Sequence, residues 1–177
     1  MCVRATVGVF NFKIMEIQLT QGKVALVDDE DFEALNVYKW QASKHKNRFY
    51  ATRNVRVGTK RMKVTMHGVI IGGKGIDHID HNGLNNQRSN LRLCTNSENI
   101  MNSPKWAKSS SIYKGVSFFK PTVKWTAQIV INRKKIHLGY FTSEIEAAKA
   151  YNNKAIELFG EFANLNTFES RVKYFHL

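Results

Sequence analysis

The chain has 177 residues, with 27 Lys+Arg against 14 Asp+Glu for a formal net charge of +13, and only two Cys. That length suits one or two small domains, and a hydrophobic fraction of 43% with 11 Phe excludes wholesale disorder. No apolar run approaches the ~20 residues of a membrane span, Cys2 and Cys94 make neither a metal-type pair nor a disulfide framework, and the start carries no signal-peptide pattern, so a reducing compartment is expected.

In chain order, Ile17 to Val27 alternate around Gln21-Gly22 and predict a hairpin. The acids Asp28 to Asp31 then start a helix running to about Val37, since carboxylates favour the positive end of a helix dipole. Phe49–Val57 and Arg61–Val64 flank Gly58-Thr59 as a second hairpin. Met66 to Ile71 reads as a short helical turn ended by Gly72-Gly73. A polar, Asn-rich stretch follows from Gly75 to about Ser103, with seven Asn between Asn82 and Asn102. Within it, Gln87–Leu93 and Ser97–Met101 each suggest a short helix. Residues 104–111, rich in Ser and Lys, read as a linker.

From Ile112 the pattern sharpens. Trp125, Ala127, Ile129 and Ile131 alternate with Lys124, Thr126, Gln128 and Val130. After a turn at Asn132-Arg133, Ile136, Leu138 and Tyr140 alternate with Lys135, His137 and Gly139. With a preceding strand at Tyr113–Phe119 this predicts a three-stranded antiparallel sheet with one apolar and one basic face. Ser143 and Glu146 have capping-box spacing, and Ile145, Ala148, Tyr151, Ala155 and Leu158 form a helical stripe closed by Gly160. That helix would cover the apolar face.

Charge is distributed unevenly. Ala34 to Ile76 holds ten Lys/Arg and no acid, and Asn99 to Ser143 holds eight and none. Two acid-free stretches are what a polyanion-binding surface requires.

The reactive groups concentrate in Asp77-His78-Ile79-Asp80-His81-Asn82, followed by Asn90-Leu91-Arg92 and Glu98-Asn99. A neutral His can take a proton from water near pH 7, Asp and Asn oxygens suit a hard cation, and an amide can hold the imidazole. Neighbours on a strand point to opposite faces, so Asp77 and His78 share a site only if the strand ends, twists or bulges there. Zinc is disfavoured, because His67, His78 and His81 have no C-x-x-C pair beside them.

The string "IDHIDHNGLNNQRSNLRLCTNSEN" (76–99) resembles the HNH (His-Me finger) nucleases of phage and homing-endonuclease type. The resemblance implies a ββα-metal core in which an Asp-His pair ends a strand and an Asn-Leu sits on a helix. It assigns His78 as general base, Asn90 as the residue orienting it, and Asp77 and Asn99 as ligands of one Mg²⁺ (or Mn²⁺) per active site. His78 to Asn90 is 12 residues and His78 to Asn99 is 21. His81 stands where relatives usually carry Gly, as a turn residue tolerating positive φ or as a second functional His. His67 is read as structural. "LTQGKVALVDDEDF" and "RFYATRNVRV" resemble the N-terminal half of the same proteins, which makes 1–14 an extension before an alternative start at Met15, and places Arg53, Arg56, Lys60 and Arg61 beside the site to grip the DNA backbone.

"YKGV" (113–116), "KWTAQI" (124–129), "IHLGYF" (136–141) and "EAAKAYNNKAIELFGEFANLN" (146–166) resemble the AP2/ERF-type DNA-binding domain. The resemblance implies a sheet laid in the major groove, with Lys114, Lys120, Lys124, Gln128, Arg133, Lys135 and His137 on or beside the contacting face.

Together these predict an α+β protein: a β-rich N-terminal region with the HNH core over 15–103, a linker over 104–111, an AP2-like domain over 112–166 and a tail over 167–177. The expected activity is Mg²⁺-dependent hydrolysis of double-stranded DNA by a monomer or weak dimer, with no membrane and no protein partner implied, in the cytoplasm of a bacterial host if phage-encoded. The alternative is a non-catalytic DNA-binding regulator. An RNA-binding protein is a third reading, disfavoured because Lys124, Thr126 and Gln128 present no aromatic platform.

Overall fold

A computed structural model describes residues 13–105 and 109–168. Most of the expected extension, the middle of the expected linker with Trp106, and most of the expected tail lie outside the described residues. The chain divides into two compact units, one ending at Cys94 and one beginning at Thr95.

In the first unit, β1 (Ile14–Gln18) and β2 (Val24–Asp28) form the expected antiparallel hairpin. Gln21 and Gly22 both take positive φ, which reverses the chain in a short 3-10 turn. Helix α1 (Asp29–Asn36) begins with three acids in its first turn. Strands β3 (Gln41–His45), β4 (Arg48–Val57) and β5 (Lys60–Thr65) make a three-stranded antiparallel sheet in that order. The β4–β5 turn falls at Gly58-Thr59, where periodicity placed it, whereas β3 was not anticipated. Thr65 caps α2 (Met66–Ile71) by accepting from Gly68 N–H, and Gly72 closes it at positive φ. Strands β6 (Ile76–His78) and β7 (Leu91–Leu93) pair antiparallel. The core gathers Ile17, Ala25, Val27, Leu35, Trp40, Ala51, Met66 and Leu91.

The helix expected over Gln87–Leu93 does not form. Arg88–Asn90 make a single 3-10 turn, and Leu91 continues into β7. Pairing with β6 outweighs local propensity here, because Leu91 reaches the core only as a strand residue.

In the second unit, Thr95 starts α3 (Asn96–Asn102) with a complete capping box: Thr95 accepts from Glu98 N–H, and Glu98 accepts from Thr95 N–H. Strands β8 (Val116–Phe119), β9 (Lys124–Ile131) and β10 (Lys134–Phe141) form the expected antiparallel sheet, with β9 central. Asn132 and Arg133 both have positive φ, as a two-residue primed turn demands. Helix α4 (Glu144–Phe159) packs on the sheet through Ala147, Ala148, Tyr151, Ala155 and Phe159. This stripe is rotated from the expected one, leaving Ile145 exposed. Ser143 caps α4 by accepting from Ile145 N–H, and Glu146 pairs with Thr142 rather than completing a box.

The unit boundary differs from the expected linker. Helix α3 joins the second unit because Met101 packs on its core, Lys114 Nζ donates to the carbonyls of Met101 and Ser103, and Asn164 donates to that of Asn102.

One register change is decisive for the sheet. The β9–β10 pairing slips between His137 and Gly139, a bulge that Gly139 accommodates at φ +130°. Before the slip, Ile136 faces the core beside Ile129. After it, Phe141 pairs with Trp125 on the inner face and Tyr140 pairs with Thr126 on the outer face. Strict alternation put Tyr140 inside; it is 50% exposed.

Candidate active site and nucleic-acid interface

The Asp-His pair sits on the last two residues of β6, opposite Arg92 and Leu91 of β7. The strand ends at His78, one of the conditions for neighbours to share a site. The surrounding polar residues are buried: Asp77 is 4% exposed, His78 5%, Asn86 0% and Asn90 8%. Buried polar side chains cost free energy unless partnered, so this cluster is built for something other than stability alone.

His78 lies against two rings. The His67 ring is 4.9 Å away, nearly perpendicular, and the Tyr50 ring 5.8 Å away, also edge-on. Burial is the largest influence on His78 and lowers its pKa below the ordinary value. The Asn86 amide and the charges of Asp80 and Asp77 act the other way, and Arg48 again lowers it. Asn86 Nδ2 donates to the Leu84 carbonyl, and the Asn86 side chain favours a charged imidazole at His78. The net result is an imidazole neutral at pH 7, the state a general base needs. His67 is lowered further, to about 4, by burial and then by His78.

The loop after β6 is held internally. Asn90 Nδ2 donates to Asp80 Oδ1 at 2.9 Å and to the Asn85 carbonyl at 2.8 Å, and its Oδ1 accepts from Asp80 N–H at 3.0 Å. Its own carbonyl accepts from Ile79 N–H. The Asn90 amide is thus spent on the loop, and its backbone carbonyl and side chain meet the residues directly after His78, Ile79 and Asp80. Burial pushes the Asp80 pKa up, but hydrogen bonds from Asn85, the Asn82 N–H and Asn90 outweigh this and hold it below the usual carboxylate value. His81 takes φ +64°, the left-handed turn conformation anticipated for it, and donates its N–H to the His78 carbonyl.

Two straps fix the far side of the loop. Leu26 N–H donates to the Leu84 carbonyl, and Asn86 N–H to that of Leu26. Asp28 accepts from Arg88 N–H at 2.7 Å and from Gln87 Nε2 at 3.2 Å. Gly83 admits the approach of β4, since a Cβ there would stand 2.5 Å from both the Phe49 carbonyl and the Tyr50 ring.

Asp77 is paired across the hairpin with Arg92, whose Nε and Nη2 donate to Oδ2 at 3.2 and 2.9 Å. Asn99 lies on α3, in the second unit. Among the described residues no three His, Cys, Asp or Glu side chains gather as a metal-binding group.

The expected basic contacts separate into two kinds. Arg56, Lys60 and Arg61 are exposed at the tip of the β4–β5 hairpin, with Arg56 directly opposite Arg61. Arg53 is different: its guanidinium lies 3.8 Å from the Tyr38 ring and 5.6 Å from the Trp40 ring, and its Nε is buried. The stack engages the Arg53 guanidinium within the unit. Lys114 is likewise engaged within the protein. Its ammonium is spent on the carbonyl end of α3, and burial lowers its pKa to about 8. Lys120, Lys124, Arg133, Lys135 and His137 are exposed, and Gln128, half-buried, sits directly opposite His137.

The outer sheet face also carries aromatics that alternation had hidden. Phe119 and Tyr140 lie 5.4 Å apart, and Tyr140 lies 4.7 Å from His137, which meets Thr126 at 3.2 Å. The absence of an aromatic platform, used above against RNA binding, does not hold for the folded sheet. Tyr50, Asp80, Asn86 and Arg92 were likewise unassigned. Asp80 and Arg92 stood in the motif string itself, whereas Tyr50 and Asn86 meet the site only through long-range packing.

Residues 64–101 match the HNH endonuclease family model, a span that includes Thr65, His67, the whole β6–β7 hairpin and most of α3. No solved structure matches the chain. Shorter similarity links it to plant proteins: it is 39% identical over 57 residues to APETALA2-like protein 2 of Oryza sativa subsp. indica and 37% over 57 residues to an AP2-like ethylene-responsive transcription factor of Arabidopsis thaliana. Those matches span 32% of this chain and 13% and 12% of the plant proteins. A viral protein, an uncharacterized HNH endonuclease of Acanthamoeba polyphaga mimivirus, is 34% identical over 154 residues, covering 84% of this chain and 78% of its own. Similarity of that extent, centred on a buried Asp-His hairpin, establishes that the chain belongs to the HNH endonuclease family.

Proposed function

We propose that the chain is a Mg²⁺-dependent DNA endonuclease that hydrolyses phosphodiester bonds with water activated by His78, and that its second unit is an AP2-like module binding the target duplex. The carrying observation is the buried imidazole of His78 at the end of β6, beside Asp77 and enclosed by Tyr50 and His67, where burial lowers its pKa. A desolvated imidazole of lowered pKa takes a proton from water without first having to lose one. Asn90 keeps it in place by locking the Ile79–Asn85 loop.

The donor chemistry at the hairpin suits a hard cation. The Asp77 carboxylate is an oxygen donor, and Mg²⁺ is commonly held by one or two such groups while keeping several waters; Mn²⁺ takes the same donors. When bound there, the cation supplies charge stabilisation at the scissile phosphate and the leaving 3′ oxygen. Arg92 holds Asp77 in place from the adjacent strand. One motif provides one site, so a monomer nicks, and cutting both strands takes a dimer or a second encounter.

The AP2-like reading rests on the three-stranded sheet backed by α4, the plant matches, and the acid-free stretch from Asn99 to Ser143. Arg56, Lys60 and Arg61 would contact phosphates near the cut.

The test is cleavage of supercoiled plasmid by purified protein, with Mg²⁺ against EDTA and wild type against His78→Ala. Open-circle or linear product, lost with EDTA and with the variant, supports the reading. Retardation of DNA in gels with no cleavage on any of several plasmids would favour the regulator, the reading that the transcription-factor matches support.

A further inference from the structure

We infer that the outer face of the β8–β9–β10 sheet selects A·T base pairs, reading the thymine C5-methyl through an apolar ridge and adenine through Gln128. The inference rests on the proposed docking of this face on duplex DNA. It follows from what the face carries row by row. Ser117, Thr126 and Tyr140 form one row, Phe119 and Lys124 another, Gln128 and His137 a third, and Val130 and Lys135 a fourth. No strand position on this face is arginine.

Base edges differ in what they ask of a protein. Guanine presents two acceptors in the major groove and is read chiefly by Arg or Lys forks. Adenine presents an acceptor and a donor, which the amide of Gln matches, and thymine presents a methyl group that apolar atoms cover. Across this face stand one amide, one imidazole, three hydroxyls and exposed apolar groups. Phe119 is 37% exposed, Tyr140 50% and Val130 54%. The lysines stand at strand ends, Lys124 opening β9 and Lys135 near the start of β10, suited to phosphates flanking the groove. Absence of acid from Asn99 to Ser143 leaves the face complementary to a polyanion.

The ridge is set by the bulge at Gly139. Without that slip Tyr140 would face the core, and the Phe119–Tyr140–His137 contacts could not form. The rings lean on one another at 41° and 56°. They present a joint apolar edge rather than separate open faces, which suits methyl contact better than stacking on the bases of a single strand.

The test uses the full chain in EDTA, so that nothing is cut, with a fluorescent random-sequence duplex as reporter. Four competitors are compared: duplex poly(dA-dT), duplex poly(dA-dU), duplex poly(dG-dC) and single-stranded oligo(dT). The expected order is poly(dA-dT) first, with poly(dA-dU) weaker by about fourfold per contacted thymine, the worth of burying one methyl group. Poly(dG-dC) should be weaker still. Phe119→Ser should erase the difference between thymine and uracil without altering the salt slope, while Phe119→Leu should keep it. Gln128→Ala should narrow the gap between poly(dA-dU) and poly(dG-dC). Equal competition by poly(dA-dT) and poly(dA-dU), or preference for oligo(dT), would overturn the inference while leaving duplex docking standing. If Lys124→Ala with Lys135→Ala left duplex affinity and its salt slope unchanged, the docking itself would fall, and the inference with it.

Discussion

The β6–β7 hairpin and the β8–β10 sheet both present polar side chains, but under opposite conditions. In the hairpin, Asp77, His78, Asn86 and Asn90 are buried and knit to the protein. On the sheet, Lys124, Lys135 and His137 point to solvent around a half-exposed aromatic ridge. The difference separates two uses of polarity. Chemistry requires groups whose protonation and position are imposed by desolvation, whereas docking on a polyanion requires groups that remain hydrated until a partner displaces the water.

Substitutions should break this comparison unequally. His78→Ala should reduce cleavage by roughly a hundred- to ten-thousand-fold, the usual worth of a general base, while duplex affinity by fluorescence anisotropy stays within about twofold. Equal loss of both would remove His78 from the chemistry. Arg92→Ala leaves the Asp77 carboxylate buried without its ion-pair partner, and urea denaturation should show destabilisation of about 3–5 kcal/mol. Lys114→Met should cost about 1–3 kcal/mol by freeing the carbonyl end of α3. It should leave the salt dependence of DNA binding unchanged, which sets Lys114 apart from its neighbours on the sheet. Lys124→Ala with Lys135→Ala should do the reverse, making the salt slope shallower by about 2 with thermal stability retained.

The smallest effect sharpens the buried side of the comparison. His67 has its pKa lowered to about 4 by burial and then by His78, so the unfolded chain takes up the proton first. The stability this supplies is complete above the ordinary histidine pKa and is lost as pH falls from about 6.5 toward 4. The slope should be about 1 kcal/mol per pH unit once partial exposure is allowed for. His67→Phe should flatten that limb in denaturation series run from pH 7 to pH 4; an unchanged limb would mean that His67 is not held neutral.

Much of this architecture was legible in the sequence. Gly58-Thr59, the acids before Phe32 and the alternation from Lys124 to Ile131 act locally, so β4–β5, α1 and β9 fell where expected. The motif string also brought Asp77, His78 and Asn90 into one hairpin and its loop. What escaped depends on distant partners. Leu91 and Leu93 look helical until β6 pairs with them, and Asn86 is buried because β2, some sixty residues earlier, straps its loop. Arg53 and Lys114 carry the right charge for DNA, but Tyr38 and the end of α3 claim them first. Tyr140 was misplaced by a single slipped pair.

That slip has a consequence for variation. A bulge is one residue of surplus length, and its effect on the strand beyond it is all-or-none. Removing Leu138 would make the ladder regular and leave Tyr140 opposite Thr126 and Phe141 opposite Trp125, so the outer face would survive while the core lost a leucine. Losing the slip with Leu138 retained would instead turn Tyr140 inward and Phe141 outward with no side chain replaced. Point substitution changes this face one contact at a time, whereas a change of slip exchanges its aromatic members together, so what the sheet recognises and how it is packed are inherited as one trait.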